Sequence, residues 1–228
     1  MQRQKLQSCR HQQSKSSAFT LIELLVVIAI ISLLVSMLLP SLKTAKALAN
    51  RVVCSANMRN INLAFGLYNN DWDGWFPLVR EVKNPLVSGV WADKLYDGTY
   101  LESAEAFNCP SVPLRVFIPD ETNGACKMAY GMEWWVGGGD DIGQGHKIID
   151  IVKPANTVLA GENNNSSGAH GYGVHDNRWP VPLNEWGWPD DERHSGVSNI
   201  LFVDGHVLAY TQDIACSDSS IIWFTDGD

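Results

Sequence analysis

Ala18-Phe19-Thr20-Leu21-Ile22-Glu23-Leu24-Leu25-Val26-Val27-Ile28-Ala29-Ile30-Ile31 opens an apolar run that continues to Leu39 and is broken by a single carboxylate, Glu23. Phe19 to Leu39 is long enough to cross a bilayer as a helix, which takes about 20 residues. A carboxylate inside such a helix costs about 2.5–3.5 kcal/mol on insertion scales, so Glu23 needs a partner or a task. Ahead of the run stand Arg3, Lys5, Arg10 and Lys15, with no acidic residue among them. The positive-inside rule keeps residues 1–18 in the cytoplasm and sends the rest of the chain across the membrane. A conventional secretory signal ending at Ala45-Lys46-Ala47 is disfavoured, because the apolar run exceeds the ~7–15 residues of such signals.

Phe19-Thr20-Leu21-Ile22-Glu23-Leu24-Leu25, the basic leader before it and Pro40 after it resemble the N-terminus of type IV prepilins and type II secretion pseudopilins. The resemblance implies that a prepilin peptidase cuts between Ala18 and Phe19 and methylates the new Phe19 amine. Ala18 stands where most of that family carry Gly. The resemblance further implies that Glu23 pairs with the Phe19 amine of a neighbouring subunit in a filament, and that Pro40 bends the helix. Elementary electrostatics agrees: Glu23 lies one turn from the Phe19 position, and a carboxylate in the first turn suits the helix dipole. The implied product is a non-enzymatic pilin or pseudopilin subunit of the bacterial inner membrane. It spans the membrane once, with its head periplasmic or extracellular, and serves a pseudopilus or surface filament linked to type II secretion. Its implied partners are prepilin peptidase, other pilin or pseudopilin subunits, the inner membrane, and secreted substrates or extracellular polysaccharide.

Composition bounds the rest. The 228 residues carry a net charge of −8, and removing the four basic leader residues makes the remainder more acidic. Nucleic acid is thereby excluded as a partner, since it demands a basic patch. No cofactor is expected, although the acidic residues leave room for a divalent cation. Four cysteines follow the leader, Cys54, Cys109, Cys126 and Cys216, in a chain bound for an oxidising compartment. Three pairings are open, and Cys109 with Cys126, neighbours in sequence, is the favoured one.

The expected fold is α+β, a long N-terminal helix packed on a small antiparallel head. Residues 1–18 are the leader, 19–40 the membrane or filament-core helix, 41–70 its amphipathic continuation, and 71–228 the head. Leu42, Ala45, Ala49, Val53, Ala56, Ile61, Ala64, Phe65 and Tyr68 recur at helical spacing, so the helix continues past Pro40, which kinks it without ending it. From Phe19 to Tyr68 it would measure about 75 Å. Asn69 to Gly74 then supplies turn formers. Asp71-Trp72-Asp73-Gly74 echoes part of a calcium loop but lacks the later acidic ligand, so a plain turn is expected. Trp91 to Tyr96 reads as a short helix or turn, and Ala106–Cys109, Lys127–Val136 and Thr157–Ala160 as strands. Residues 161–195 form a long Gly- and Trp-rich excursion.

Ser198 to Tyr210 reads as a hairpin about Asp204-Gly205, with a type I′ turn that pairs Val203 with His206 and Leu201 with Leu208. Ile200, Phe202, Val207 and Ala209 would then face the core. His194 stands ten positions before Asp204. With Arg193-His194-Ser195-Gly196 and Asn199 to Val207, this spacing resembles the C-terminal signature of prepilin-like proteins named for a His, nine residues, then Asp-Gly. Cys54 with Asn57, Cys109-Pro110-Ser111 and Tyr130-Gly131 extend that resemblance, which implies an architecture and a processing route rather than an activity. Three roles are open for His194: structural pairing at the hairpin with Asp204, metal binding with Asp204 and His206, or catalysis. Structural pairing leads, because Asp204 is already accounted for by its turn. No nucleophile elbow, H-E-x-x-H or phosphate loop occurs, so no catalytic residue is named. Two rival functions remain: a tethered carbohydrate-binding module using Trp134, Trp135, Trp179, Trp186 and Trp188, and a metal-dependent exported hydrolase using His194 and nearby carboxylates.

Overall fold

A computed structural model describes residues 19–84, 87–112, 129–139, 143–162, 173–174, 193–211 and 220–221. The chain divides into two compact units, Met1–Lys43 and Thr44–Asp228. Helix α1, Leu21–Asp71, belongs to both, and Pro40 lies inside it without ending it.

In the first unit α1 begins at a capping box. Thr20 Oγ1 accepts from the Glu23 N–H at 3.3 Å, while Glu23 Oε2 accepts from the Thr20 N–H and hydroxyl at 2.8 Å each. Donors that a helix start leaves orphaned are satisfied in this way. The large apolar side chains from Leu21 to Leu39 are all exposed. Ser36 and Ser41 return their hydroxyls to the carbonyls of Leu33 and Leu38 at 2.7 and 2.8 Å. That is what an apolar solvent demands of a polar side chain. By length and composition this helix is able to cross a membrane once.

In the second unit α1 turns amphipathic. Cys54, Met58, Ile61, Ala64, Phe65 and Tyr68 are buried along one face at spacings of three and four. The expected stripe began too early, for Leu42, Ala45, Ala49, Val53 and Ala56 are exposed. Cys54 and Met58 take the inner positions instead, while just before them the head meets the helix through polar contacts, Asn50 with Ser111 and the Arg51 carbonyl with Asn199. At its C-terminal end Asp73 and Gly74 turn left-handed (φ 51° and 82°). The Lys147 ammonium pairs with Asp73, so this segment is a turn pinned by a cation side chain.

Strand β1 (Arg80–Asn84) pairs antiparallel with β2 (Val87–Val90), which leads into α2 (Trp91–Asp97). Next come β3 (Tyr130–Glu133), the single turn α3 (Trp134–Gly137), and the short pair β4 (Gly138–Gly139) and β5 (Gly143–Gln144). Then follow β6 (Val158–Glu162), β7 (Gly173–Val174), β8 (Ser198–Phe202) and β9 (Val207–Tyr210). The main sheet has the order β7-β3-β6-β8-β9. Its four strands β3, β6, β8 and β9 are antiparallel, and β7 lies parallel to β3 at the edge. This is the pilin-like α+β architecture, a long N-terminal helix whose second half packs on a small sheet. Phe65 of α1 stacks on Trp91 of α2 at 5.4 Å, and Trp91 meets Phe107 edge-on at 5.5 Å. The strand expected over Ala106–Cys109 is instead a 3-10 turn, Ala104–Phe107, that carries Phe107 inward to that contact.

The hairpin forms, but with a different turn and register. Leu201 pairs with Val207 and Ile200 with Leu208, one step from the expected pairing. The Gly205 N–H donates to the Phe202 carbonyl at 2.9 Å, and the Phe202 N–H to the His206 carbonyl at 3.0 Å. Only Gly205 has positive φ, 92°. These marks define a three-residue loop, a type I turn closed by a left-handed glycine, which spares Asp204 the strain a type I′ turn would impose. The one-residue shift puts Val207 on the face of Leu201 and not on that of Ile200. Leu201 and Val203 lie in the main core with residues of α1, and Val207 packs against it as expected, while Ile200 and Phe202 form a second cluster with Val158 and Ile221. A Cβ on Gly205 would lie 2.4 Å from Asn62 Nδ2, so the turn also rests directly on α1.

Candidate functional site

Four segments of the head converge on one buried point. Cys54 comes from α1, Cys109 from the loop after the Ala104–Phe107 turn, Glu162 from the end of β6 and His194 from a turn at Arg193–Ser195. Each offers one donor atom, and the four atoms lie within 4.8 Å of one another. His194 Nε2 is 2.9 Å from Glu162 Oε1 and 3.5 Å from Cys109 Sγ. Both side chains of the His–Glu pair are fully excluded from solvent. The quartet is a buried Cys/Cys/Glu/His cluster able to coordinate a metal ion.

Surrounding groups fix each member. The Asn199 backbone N–H and its side-chain amide hold Glu162 Oε2 and Oε1, both at 2.9 Å. The Ser111 hydroxyl sits 3.2 Å from His194 Nδ1 and accepts from Asn50 Nδ2 at 3.1 Å. Asn57 Nδ2 donates to the Asn108 carbonyl at 3.0 Å, which ties the Cys109 loop to α1. His194 itself has φ 46° and Ser195 φ 67°. Two successive non-glycine residues in the left-handed region are uncommon and carry a cost, of the kind found where a side chain must be aimed. Here the aim is Nε2 towards the sulfurs and Glu162.

The ionisation of the cluster follows from these contacts. A hydrogen bond from Cys54 draws the Cys109 thiol down to about 5, against the pull of burial and with help from His194. The same sulfur–sulfur contact, reinforced by burial, drives the Cys54 thiol far upward. Burial acts to lower the His194 pKa, yet its bonds to Cys109 and Glu162 prevail and raise it to about 9. The charged forms of Cys109 and His194 thus favour one another out of water, with Glu162 in contact. Tyr130, beside Cys54, is pushed well above its ordinary range, chiefly by burial.

Residues 13–39 match the family described as Prokaryotic N-terminal methylation motif. The chain thus carries the N-terminal mark of pilin- and pseudopilin-type processing. That motif implies a prepilin-peptidase-like enzyme as a processing partner and agrees with the single apolar N-terminal helix. No curated protein and no solved structure matches the chain. Within this pilin-type frame the Glu23 carboxylate lies in the matched segment and Pro40 directly after it.

The residues singled out in the sequence separate into those the structure gathers and those it does not. His194 does not pair with Asp204 across the hairpin, for its partner is Glu162. Asp204 accepts from the His206 backbone N–H at 3.1 Å and contacts the His206 ring, forming its own pair at the turn outside the quartet. Cys109 has a free thiol facing Cys54 and His194. Cys126 lies outside the described residues, as do Ala18, Trp179, Trp186 and Trp188, on which the carbohydrate reading depended. Trp134 is buried in the core. Cys54 and Cys109 are the members whose role here was not read from the sequence, because their neighbours in space lie 30 or more residues away. The clue was present in Cys54-x-x-Asn57 and Cys109-x-Ser111, whose polar residues make the bonds that seat the two thiols.

Proposed function

We propose that this protein is a structural pilin or pseudopilin subunit. Prepilin peptidase trims it between Ala18 and Phe19 and methylates the Phe19 amine, and the subunit then assembles through its N-terminal helix. The match of residues 13–39 carries this reading, supported by the exposed apolar face of α1 from Leu21 to Leu39. An apolar helix carrying one carboxylate gains when a neighbour's ammonium replaces two lone charges in lipid with one pair. The subunit sits in the inner membrane with its head outside the cytoplasm, and it serves a pseudopilus or filament linked to type II secretion. The head offers partners or cargo its loops, not a catalytic centre.

Mass spectrometry of the N-terminus of protein isolated from cell membranes tests this. A chain beginning at methylated Phe19 is the expected result. An intact Met1, or a start at Leu48 after a conventional signal cut, would overturn it.

A further inference from the structure

We propose that Cys54, Cys109, Glu162 and His194 bind one Zn2+ tetrahedrally, as a structural ion that ties α1 to the sheet of the head. The donor set selects the metal. Two sulfurs exclude calcium and magnesium, which take all-oxygen shells, while two sulfurs, an imidazole and a carboxylate are all zinc ligands. Bond lengths of about 2.3 Å to sulfur and 2.0 Å to nitrogen or oxygen set ligand-to-ligand edges of roughly 3.3–3.8 Å in a tetrahedron. The 3.5 Å between Cys109 Sγ and His194 Nε2 lies within that range. The 2.9 Å hydrogen bond between His194 and Glu162 needs to open by only a few tenths of an ångström.

The outer contacts are those of a metal site. Asn199 grips both oxygens of Glu162. Ser111, which accepts from Asn50, lies where it can receive His194 Nδ1–H and so leave Nε2 as the ligand. A disulfide between Cys54 and Cys109 would use the sulfurs alone. It would leave a solvent-excluded imidazole and carboxylate, each with its own support, without a task. A dication gives all four donors a common one. Four protein ligands leave no open position, so the ion is structural and not catalytic.

The test is metal analysis of the full chain, extracted from membranes in detergent with its thiols kept reduced and then dialysed. About one zinc per chain is expected, retained by His206→Ala, whose ring lies outside the quartet. Cys54→Ser and His194→Ala should fall below a tenth of that content. Glu162→Gln, which keeps the shape and one carbonyl for Asn199, should bind at least ten-fold more weakly. Because a variant that misfolds would also lose zinc, Co2+ titrated into the unaltered chain is the second measurement. Strong visible bands with a thiolate-to-cobalt charge-transfer absorption are expected for a tetrahedral sulfur site. Background zinc with free thiols, a Cys54–Cys109 cystine in freshly isolated protein, or a weak octahedral cobalt spectrum would each overturn the proposal.

Discussion

The stretch of α1 from Leu21 to Leu39 and the stretch from Cys54 to Tyr68 are both rich in apolar residues, yet only the second buries them. The first is apolar on every face, caps its own start with Thr20 and Glu23, and folds its serines back on the backbone. The second alternates inner Met58, Ile61 and Phe65 with outer Arg59, Asn60 and Leu63. One helix therefore serves two solvents. Its first half is built for lipid or a bundle of like helices, and its second for a protein core.

Substitutions that act on one half and spare the other test this division. The largest effect belongs to Glu23→Ala, which should abolish filament or pseudopilus assembly while leaving membrane insertion and the head's melting temperature unchanged. Electron microscopy of shear fractions and thermal denaturation read the two properties separately. Next, Phe65→Ala should cost the head about 3–5 kcal/mol, because it empties a site stacked on Trp91. Leu34→Ala, in the other half, should leave denaturant unfolding of the head where it was. A Phe65→Ala midpoint equal to that of Leu34→Ala would erase the distinction.

A smaller loss, about 1–3 kcal/mol, is expected for Gly205→Ala, since the added methyl meets Asn62 and the residue keeps positive φ. Pairing it with Asn62→Ala should recover part of the loss if the contact is the cause. The smallest effect is that of Lys147→Ala at the exposed end of α1. Lys147 holds the Asp73 carboxyl below its ordinary value. The pair's contribution is therefore present above about pH 3.8 and fades as the pH falls further. Solvent screening makes that contribution slight, so Lys147→Ala should lower the melting temperature only marginally at neutral pH, and even that difference should vanish as the pH falls below about 3.8.

Much of this was legible in the chain. The apolar run, its acid and its leader specify the first half of α1 outright, because membrane helices are dictated by composition and length. The amphipathic half was visible as a helix, and its inner Ile61, Ala64, Phe65 and Tyr68 were read as such; only before them was the face misplaced, since Val53 and Cys54 are equally plausible inner residues until the head chooses between them. Asp204-Gly205 marked the hairpin. The turn type hinged on whether Asp204 goes left-handed, and the approach of α1 at Asn62 is not written locally. The quartet was the least legible part. His194 stood out by its spacing to Asp204, but a nine-residue interval says nothing of Glu162, Cys54 and Cys109, which the sheet and α1 bring to it from afar.

The bracket at the head of α1 has one further consequence. Thr20 and Glu23 both lie downstream of the proposed cut between Ala18 and Phe19, and the capping hydrogen bonds run between these two residues. A cut there, on the proposed reading, would leave this capping box whole. The ammonium it would create on Phe19 would stand one residue before a helix start already capped from within.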